Sequence, residues 1–194
     1  MSAPARPRLF VAVELPAAVR TAIRDATEPW RRSLPDLRWI SGEALHLTIA
    51  FIGAVDAGQV AAIASAVEVA AAGLAPVPTG LTRFGRFPEG GRAARVLWVG
   101  LDDPGGGLTR VAAAVTAALD GFLQADGRPY QPHITIARAG SLTAVPPTFH
   151  DAEVPSIRWM AENLTLFRSH LGAGVPRYEP LARWNLQART PEVP

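Results

Sequence analysis

The chain has 194 residues, 48% of them apolar, which is ample for a packed interior in one domain or two small lobes sharing one core. Its 19 basic residues are all Arg and meet 17 acidic ones, so the net charge is only +2 and the pI of about 9.9 does not by itself argue for nucleic acid. The absence of Lys excludes amine nucleophiles and Schiff bases, and the absence of Cys excludes disulfides, thiolate chemistry and Cys-ligated metals.

In chain order, "RLFVAVEL" (8–15) is β-branched and aromatic and stops at Pro16, a strand signature rather than a signal peptide. Residues 16–34 open with Pro and space Val19, Ile23 and Ala26 at helical intervals. Residues 37–53 predict two strand-like pieces around a Ser-Gly turn. Asp56 is placed to cap an Ala-rich helix closed by Gly73. Two strands follow, at 77–87 and 95–101, around the loop "PEGGRAA". A third helix is expected over 108–123, a strand over 133–138, and strands over 157–169 and 177–186. No apolar stretch reaches the 18 or so residues of a membrane span, and a soluble, cytoplasmic protein is expected. Paired strands separated by three helices predict an α+β fold with antiparallel or mixed sheets.

Two of the four histidines sit in the same phrase: "HLTIAF" from position 46 and "HITIAR" from position 133. In a strand, alternate residues share a face. His46 and Thr48 therefore share one face, with Leu45, Leu47, Ile49 and Phe51 on the other; His133 and Thr135 share a face opposite Ile134 and Ile136. By the same alternation Arg138 falls on the apolar face, unless the strand bends or ends there. A single such phrase reads as a polar strand face. Two copies suggest a duplication. Two imidazoles on one cleft suit acid–base work, one neutral ring taking a proton while a charged one gives a proton. Hydroxyls two residues along could hold the non-bridging oxygens of a phosphodiester. Metal binding is the alternative, but neither phrase supplies a carboxylate or a third His.

The paired H-x-T phrases resemble those of the two-histidine phosphoesterase superfamily, and within it the RNA 2′,3′-cyclic phosphodiesterases, also called 2′-5′ RNA ligases. The resemblance covers nearly the whole chain: "RLFVAVELP", "LRWISGEALHLTIAFIG", "RVLWVGL", "GRPYQPHITIAR" and "LTLFRSHLGAGVPRYEPL" follow that family's blocks in order. It implies a single bilobal domain over 1–194; the tail at 188–194 is expected to be flexible, as chain ends commonly are. Two antiparallel sheets with outer helices would flank a cleft lined by His46, Thr48, His133 and Thr135. It implies a cofactor-free, metal-free monomer that opens a 2′,3′-cyclic phosphate at an RNA 3′ end to a 2′-phosphate, with 2′-5′ joining as the reverse-type reaction. By analogy O3′ leaves and the phosphate stays on O2′; His46 is assigned as the acid that protonates O3′ and His133 as the base that activates water, the reverse assignment being left open by the sequence.

The same resemblance gives Arg138 a role in phosphate or base binding. Tyr130 and Phe84 carry rings able to stack a base, packing being the alternative for each. Arg86, Arg92 and Arg95 flank the Gly-rich loop, where they could follow an RNA backbone or sit in solvent. His150 and His170 lie outside the phrase and receive no role. The rival readings are a phosphodiesterase acting on 2′-5′ oligoadenylate or a small cyclic nucleotide phosphate, and a non-catalytic RNA-binding module.

Overall fold

The structure, a computed structural model, describes residues 6–123, 129–170 and 177–187. The expected tail at 188–194 lies outside the described residues.

The strands are β1 (Arg8–Glu14), β2 (Arg38–Trp39), β3 (His46–Ala54), β4 (Val77–Phe87), β5 (Ala93–Leu101), β6 (His133–Ala144), β7 (Arg158–Ala161), β8 (Asn163–His170) and β9 (Arg177–Asn185). The helices are α1 (Ala17–Ser33), α2 (Val60–Ala71) and α3 (Gly107–Ala118). Each helix buries one apolar stripe: Val19 and Ile23 on α1, Ile63 and Val67 on α2, Leu108, Val111 and Val115 on α3. Asp56 does start the second helical segment: it and Gln59 form a capping box on a single 3-10 turn that runs into α2.

Strand order is β7-β4-β5-β6-β3-β1-β8-β9, all antiparallel, with β2 pairing β6 at Ala137 and Arg138. The two expected antiparallel sheets are present as two halves, β9-β8-β1-β3 and β6-β5-β4-β7. A single residue pair, Leu47 with Ile134, joins them into one sheet. Helices pack on the buried face, so the fold is α+β as expected.

The sheet must curl. The stretch 157–169 reads as one strand in the sequence, but it splits at Glu162 into β7 and β8, which sit six places apart in the strand order. In a flat sheet six steps of about 4.8 Å span about 29 Å. One residue reaches only about 3.5 Å. The two ends therefore come together, and the junction is anchored on its β8 side: Glu14 N donates to Asn163 Oδ1 and Leu186 N to the Glu162 carbonyl. Glu14 accordingly has neighbours from three strands on one side of the sheet.

On β4 and β5 a large side chain depends on a missing one. Trp98 is 2% exposed and lies over Gly85, where a Cβ would fall 2.2 Å from the indole. Gly85→Ala should therefore cost about 1–3 kcal/mol, the penalty of overpacking a filled core, in a denaturant unfolding curve. Unchanged stability would show that the indole moves freely.

Candidate active site

His46 opens β3 and His133 opens β6, the two strands that meet at the centre of the sheet. In the register of the Leu47–Ile134 pair, His46 stands opposite Thr135 and Thr48 opposite His133. The four side chains of the two phrases thus form a square around a local two-fold axis. Opposite Cα atoms in such pairs lie about 4.5–5.5 Å apart, so all four groups converge on one small volume.

The symmetry extends to the ring nitrogens. His46 Nδ1 is 2.8 Å from the carbonyl oxygen of Ala44, and His133 Nδ1 is 2.7 Å from that of Gln131, two residues back in each case. A carbonyl only accepts, so each Nδ1 carries the hydrogen and donates it. Each neutral ring therefore keeps its lone pair on Nε2. Among the described residues no hydrogen bond engages either Nε2 or either threonine hydroxyl.

Beyond the threonines both strands change phase. Opposite Val11 and Ala12, β3 takes an extra residue between Thr48 and Ala50; opposite Leu97 and Trp98, β6 takes one between Thr135 and Ala137. Each is a β-bulge. Ile49 and Ala50 are consecutively buried, as are Ile136 and Ala137, and the next residue emerges on the histidine face. This corrects strict alternation at two positions. Phe51 lies on the same face as His46 and Thr48, 56% exposed, with the Arg8 guanidinium 5.5 Å from its ring. Arg138 lies on the same face as His133 and Thr135, exposed and close enough to bear on both histidines. Arg138 and Phe51 occupy equivalent positions in the two phrases. The shared Ala at the fourth place after each His, the small residue that fits a doubled buried position, is the sequence signal that could have revealed this.

Aromatic walls back both histidines. His46 is 4.9 Å from the Phe10 ring and 5.1 Å from the Tyr178 ring, and Phe10 stacks on Phe167. His133 meets Phe87 edge-on at 5.2 Å, with Trp98 at 6.1 Å. These rings desolvate the imidazoles. Burial pushes the His46 pKa down to about 4; the bond to Ala44 opposes this, and the charges of Arg138 and His133 lower it further. His133 is lowered as well, by burial and then by Arg138, against the bond to Gln131. Tyr178 is raised by burial while Arg138 pulls it down. Arg138 on β6 thus acts on a residue of β9, four strands along, which puts the histidine face on the inside of the curl. A 460 Å³ pocket opens beside His46, lined by Glu14, Arg20, Glu43, Phe167, Arg177 and Tyr178 among others.

Two expected base-stacking residues are placed otherwise. Phe84 is 1% exposed and packs on Phe149 at 5.2 Å inside the core, so neither ring face can reach a base. Tyr130 donates its hydroxyl to the Thr48 carbonyl at 3.2 Å and packs against the core, where burial holds its pKa well above the ordinary value. It braces β3 behind Thr48. The aromatic residues at the site, Phe10, Phe51, Phe87, Trp98 and Phe167, were not singled out by sequence. Arg92 and Arg95 are exposed. His170 pairs with Glu179 at 2.7 Å, away from the cleft residues. Among the described residues no three His, Asp or Glu side chains converge as metal ligands, and no helix is long and apolar enough to cross a membrane.

Comparison with known proteins agrees with this geometry. A family model described as the 2′-5′ RNA ligase superfamily matches residues 15–173. A protein of Escherichia coli named RNA 2′,3′-cyclic phosphodiesterase is 34% identical over 189 residues, 92% of this chain and 96% of that protein. One of the same name from Geobacillus stearothermophilus is 30% identical over 183 residues; the match takes in 93% of this chain but only 58% of that protein's length. The crystal structure of E. coli LigT complexed with 3′-AMP superposes with a TM-score of 0.71 at 29% identity, covering 93% of this chain and 98% of that one. With both H-x-T phrases on facing strands and the match running through both halves of the sheet, the chain belongs to the 2′-5′ RNA ligase superfamily.

Proposed function

We propose that the chain hydrolyses 2′,3′-cyclic phosphate ends of RNA to 2′-phosphate ends, by acid–base catalysis between His46 and His133 without a metal. The observation that carries this reading is the pair of matched Nδ1 locks, which leave two Nε2 atoms across a local two-fold axis with a threonine opposite each. In-line displacement at phosphorus needs proton transfer on two opposite sides of one atom. A phosphate centred between the strands meets one imidazole on each side and one hydroxyl on each flank. Relatives carrying the name RNA 2′,3′-cyclic phosphodiesterase support the substrate class.

In this reading His133 takes a proton from water through Nε2 and the water oxygen attacks phosphorus. The bond to O3′ breaks, and His46 delivers a proton to O3′. The phosphate stays on O2′. Thr48 and Thr135 donate to the non-bridging oxygens, and Arg138 offsets their charge. Phe51 offers an exposed ring to the base. The 460 Å³ pocket beside His46 lies within the range of about 300–1,000 Å³ that holds small molecules, and suits a nucleoside. A 5′-hydroxyl in the water's place would run the same steps as a 2′-5′ joining reaction.

The low pKa of His46 has a consequence. In the empty site both rings are held neutral at neutral pH. Burial makes His46, the assigned acid, hard to charge; an anionic phosphate between the rings favours the charged forms, and the acid role of His46 requires that the phosphate and O3′ lie against its Nε2.

Replacing His46 or His133 by Ala should each lower kcat roughly 10²–10⁴-fold. The double variant should lose far less than the product, because the pair acts as a unit. Thr48→Ala and Thr135→Ala should each cost about 1–3 kcal/mol of transition-state stabilisation. A folded His133→Ala chain of full activity would end the proposal, as would a product bearing a 3′-phosphate.

The free enzyme should show a bell-shaped kcat/KM. Both histidines titrate below 6.5, so the species with one neutral and one charged ring is most populated on the acid side of 6.5. The kcat profile, set in the complex, should peak at higher pH. A kcat/KM maximum above 6.5, or activity abolished by EDTA and restored by zinc or manganese, contradicts the mechanism.

A further inference from the structure

A second pocket, of 240 Å³, lies beside Trp98 at β4 and β5, and the proposed function does not use it. Its lining includes Arg83, Gly85, Arg86, Glu89, Trp98 and His150. Of five buried side-chain nitrogen or oxygen atoms without a hydrogen-bond partner among the described residues, three belong to this lining: Arg86 Nε, Trp98 Nε1 and His150 Nε2. Proteins rarely leave such groups unpaired, so three in one place mark a missing partner. Arg86 Nε and Trp98 Nε1 can only donate. His150 Nδ1 lies 3.4 Å from the Phe84 carbonyl oxygen and donates to it, which leaves Nε2 of the neutral ring as an acceptor. The partner that Arg86 Nε and Trp98 Nε1 lack is therefore an acceptor, and the charge of Arg86 and Arg83 favours an anion. Arg83 sits 5.2 Å over the Trp98 ring, while the one carboxylate in the lining, Glu89, is exposed on the loop. No carboxylate among the described residues pairs with Arg83 or Arg86.

Position supplies the rest. Trp98 pairs with Thr135 across β5 and β6, and its ring is 6.1 Å from that of His133. The pocket thus sits one indole away from the catalytic imidazole. Its volume is below the range of about 300 Å³ and upward that holds a drug-sized molecule, so it suits a phosphate rather than a nucleoside. Its surroundings, an Arg pair beside an aromatic ring, are those of grooves that follow a nucleic-acid backbone.

We propose that this pocket binds a backbone phosphate of the RNA adjacent to the reacting one, through Arg86, Trp98 and Arg83. The inference rests on the proposed reading of the site as one that acts on RNA ends. The phosphate could belong to the strand that carries the cyclic end, or to the strand whose 5′-oxygen takes the place of water. The chemistry is the same for both.

The test compares substrates that differ in one charge. In one arm, a dinucleotide with a 2′,3′-cyclic end carries either a normal internal phosphodiester or a neutral methylphosphonate there. In the other, a 2′,5′-linked dinucleotide carries or lacks a 3′-phosphate on its 5′-linked nucleoside. The wild-type chain should favour the charged substrate about tenfold in kcat/KM in one arm, mainly through KM, the size of one charge-assisted contact. In the Arg86→Gln chain that preference should fall to about twofold or less. The arm that responds names the strand. Wild-type indifference to charge in both arms overturns the inference, whether or not the variant folds. So does an Arg86→Gln chain, intact by its melting curve, that keeps the full preference. A wild-type chain inert on every cyclic substrate sinks the proposed function itself, and this inference with it.

Discussion

The site depends on one backbone contact, the Leu47–Ile134 pair that joins the two halves of the sheet. Because antiparallel pairing has two-fold symmetry in its backbone, identical phrases placed on either side of it acquire a two-fold axis for their side chains. Each histidine is then set opposite the other strand's threonine. No loop is needed to bring the four groups together. Both residues of the joining pair are fully buried, so the pairing is held by the core and the polar groups face the cleft. A one-residue slip of either strand would turn that strand's histidine inward.

Two further constraints convert that symmetry into chemistry. Each imidazole is locked by its own chain two residues back, so the tautomer does not depend on the other half of the molecule. Each is walled by rings, Phe10 and Tyr178 on one side, Phe87 and Trp98 on the other, and the walls lower both pKa values. The bulges then break the symmetry in a useful way. At equivalent positions one strand presents Phe51 and the other Arg138, an aromatic face and a positive charge. A symmetric pair of proton carriers with asymmetric flanks can hold a nucleoside on one side of phosphorus and leave the other side to the nucleophile.

The elements and the phrases were legible because local pattern decides them. Period-two and period-3.6 spacing marked the strands and helices, and the H-x-T repeat marked the candidate site and, through the family resemblance, the α+β form. What could not be read depends on partners distant in sequence. Register at Ile49 and Ile136 is set by β1 and β5, so strict alternation sent Phe51 and Arg138 to the wrong face. Phe84 and Tyr130 looked available as rings near the motifs. Whether a ring is open or packed is decided by what covers it, here Phe149 and the β3 backbone, and neither adjoins them in sequence. The break at Glu162 was invisible because both sides of it read as strand; only the closure of the sheet requires it.

One measurement reaches the central claim, that a single phosphate is held between the Nε2 atoms of His46 and His133. The imidazole nitrogens of the ¹⁵N-labelled protein can be followed by NMR while a nucleoside 2′-phosphate is titrated in. Before addition, both rings should show Nδ1 protonated and Nε2 bare. On addition, both Nε2 signals should move toward the protonated state with one shared dissociation constant. A ligand that moves one histidine and leaves the other unchanged, or that acts at Nδ1, contradicts the account.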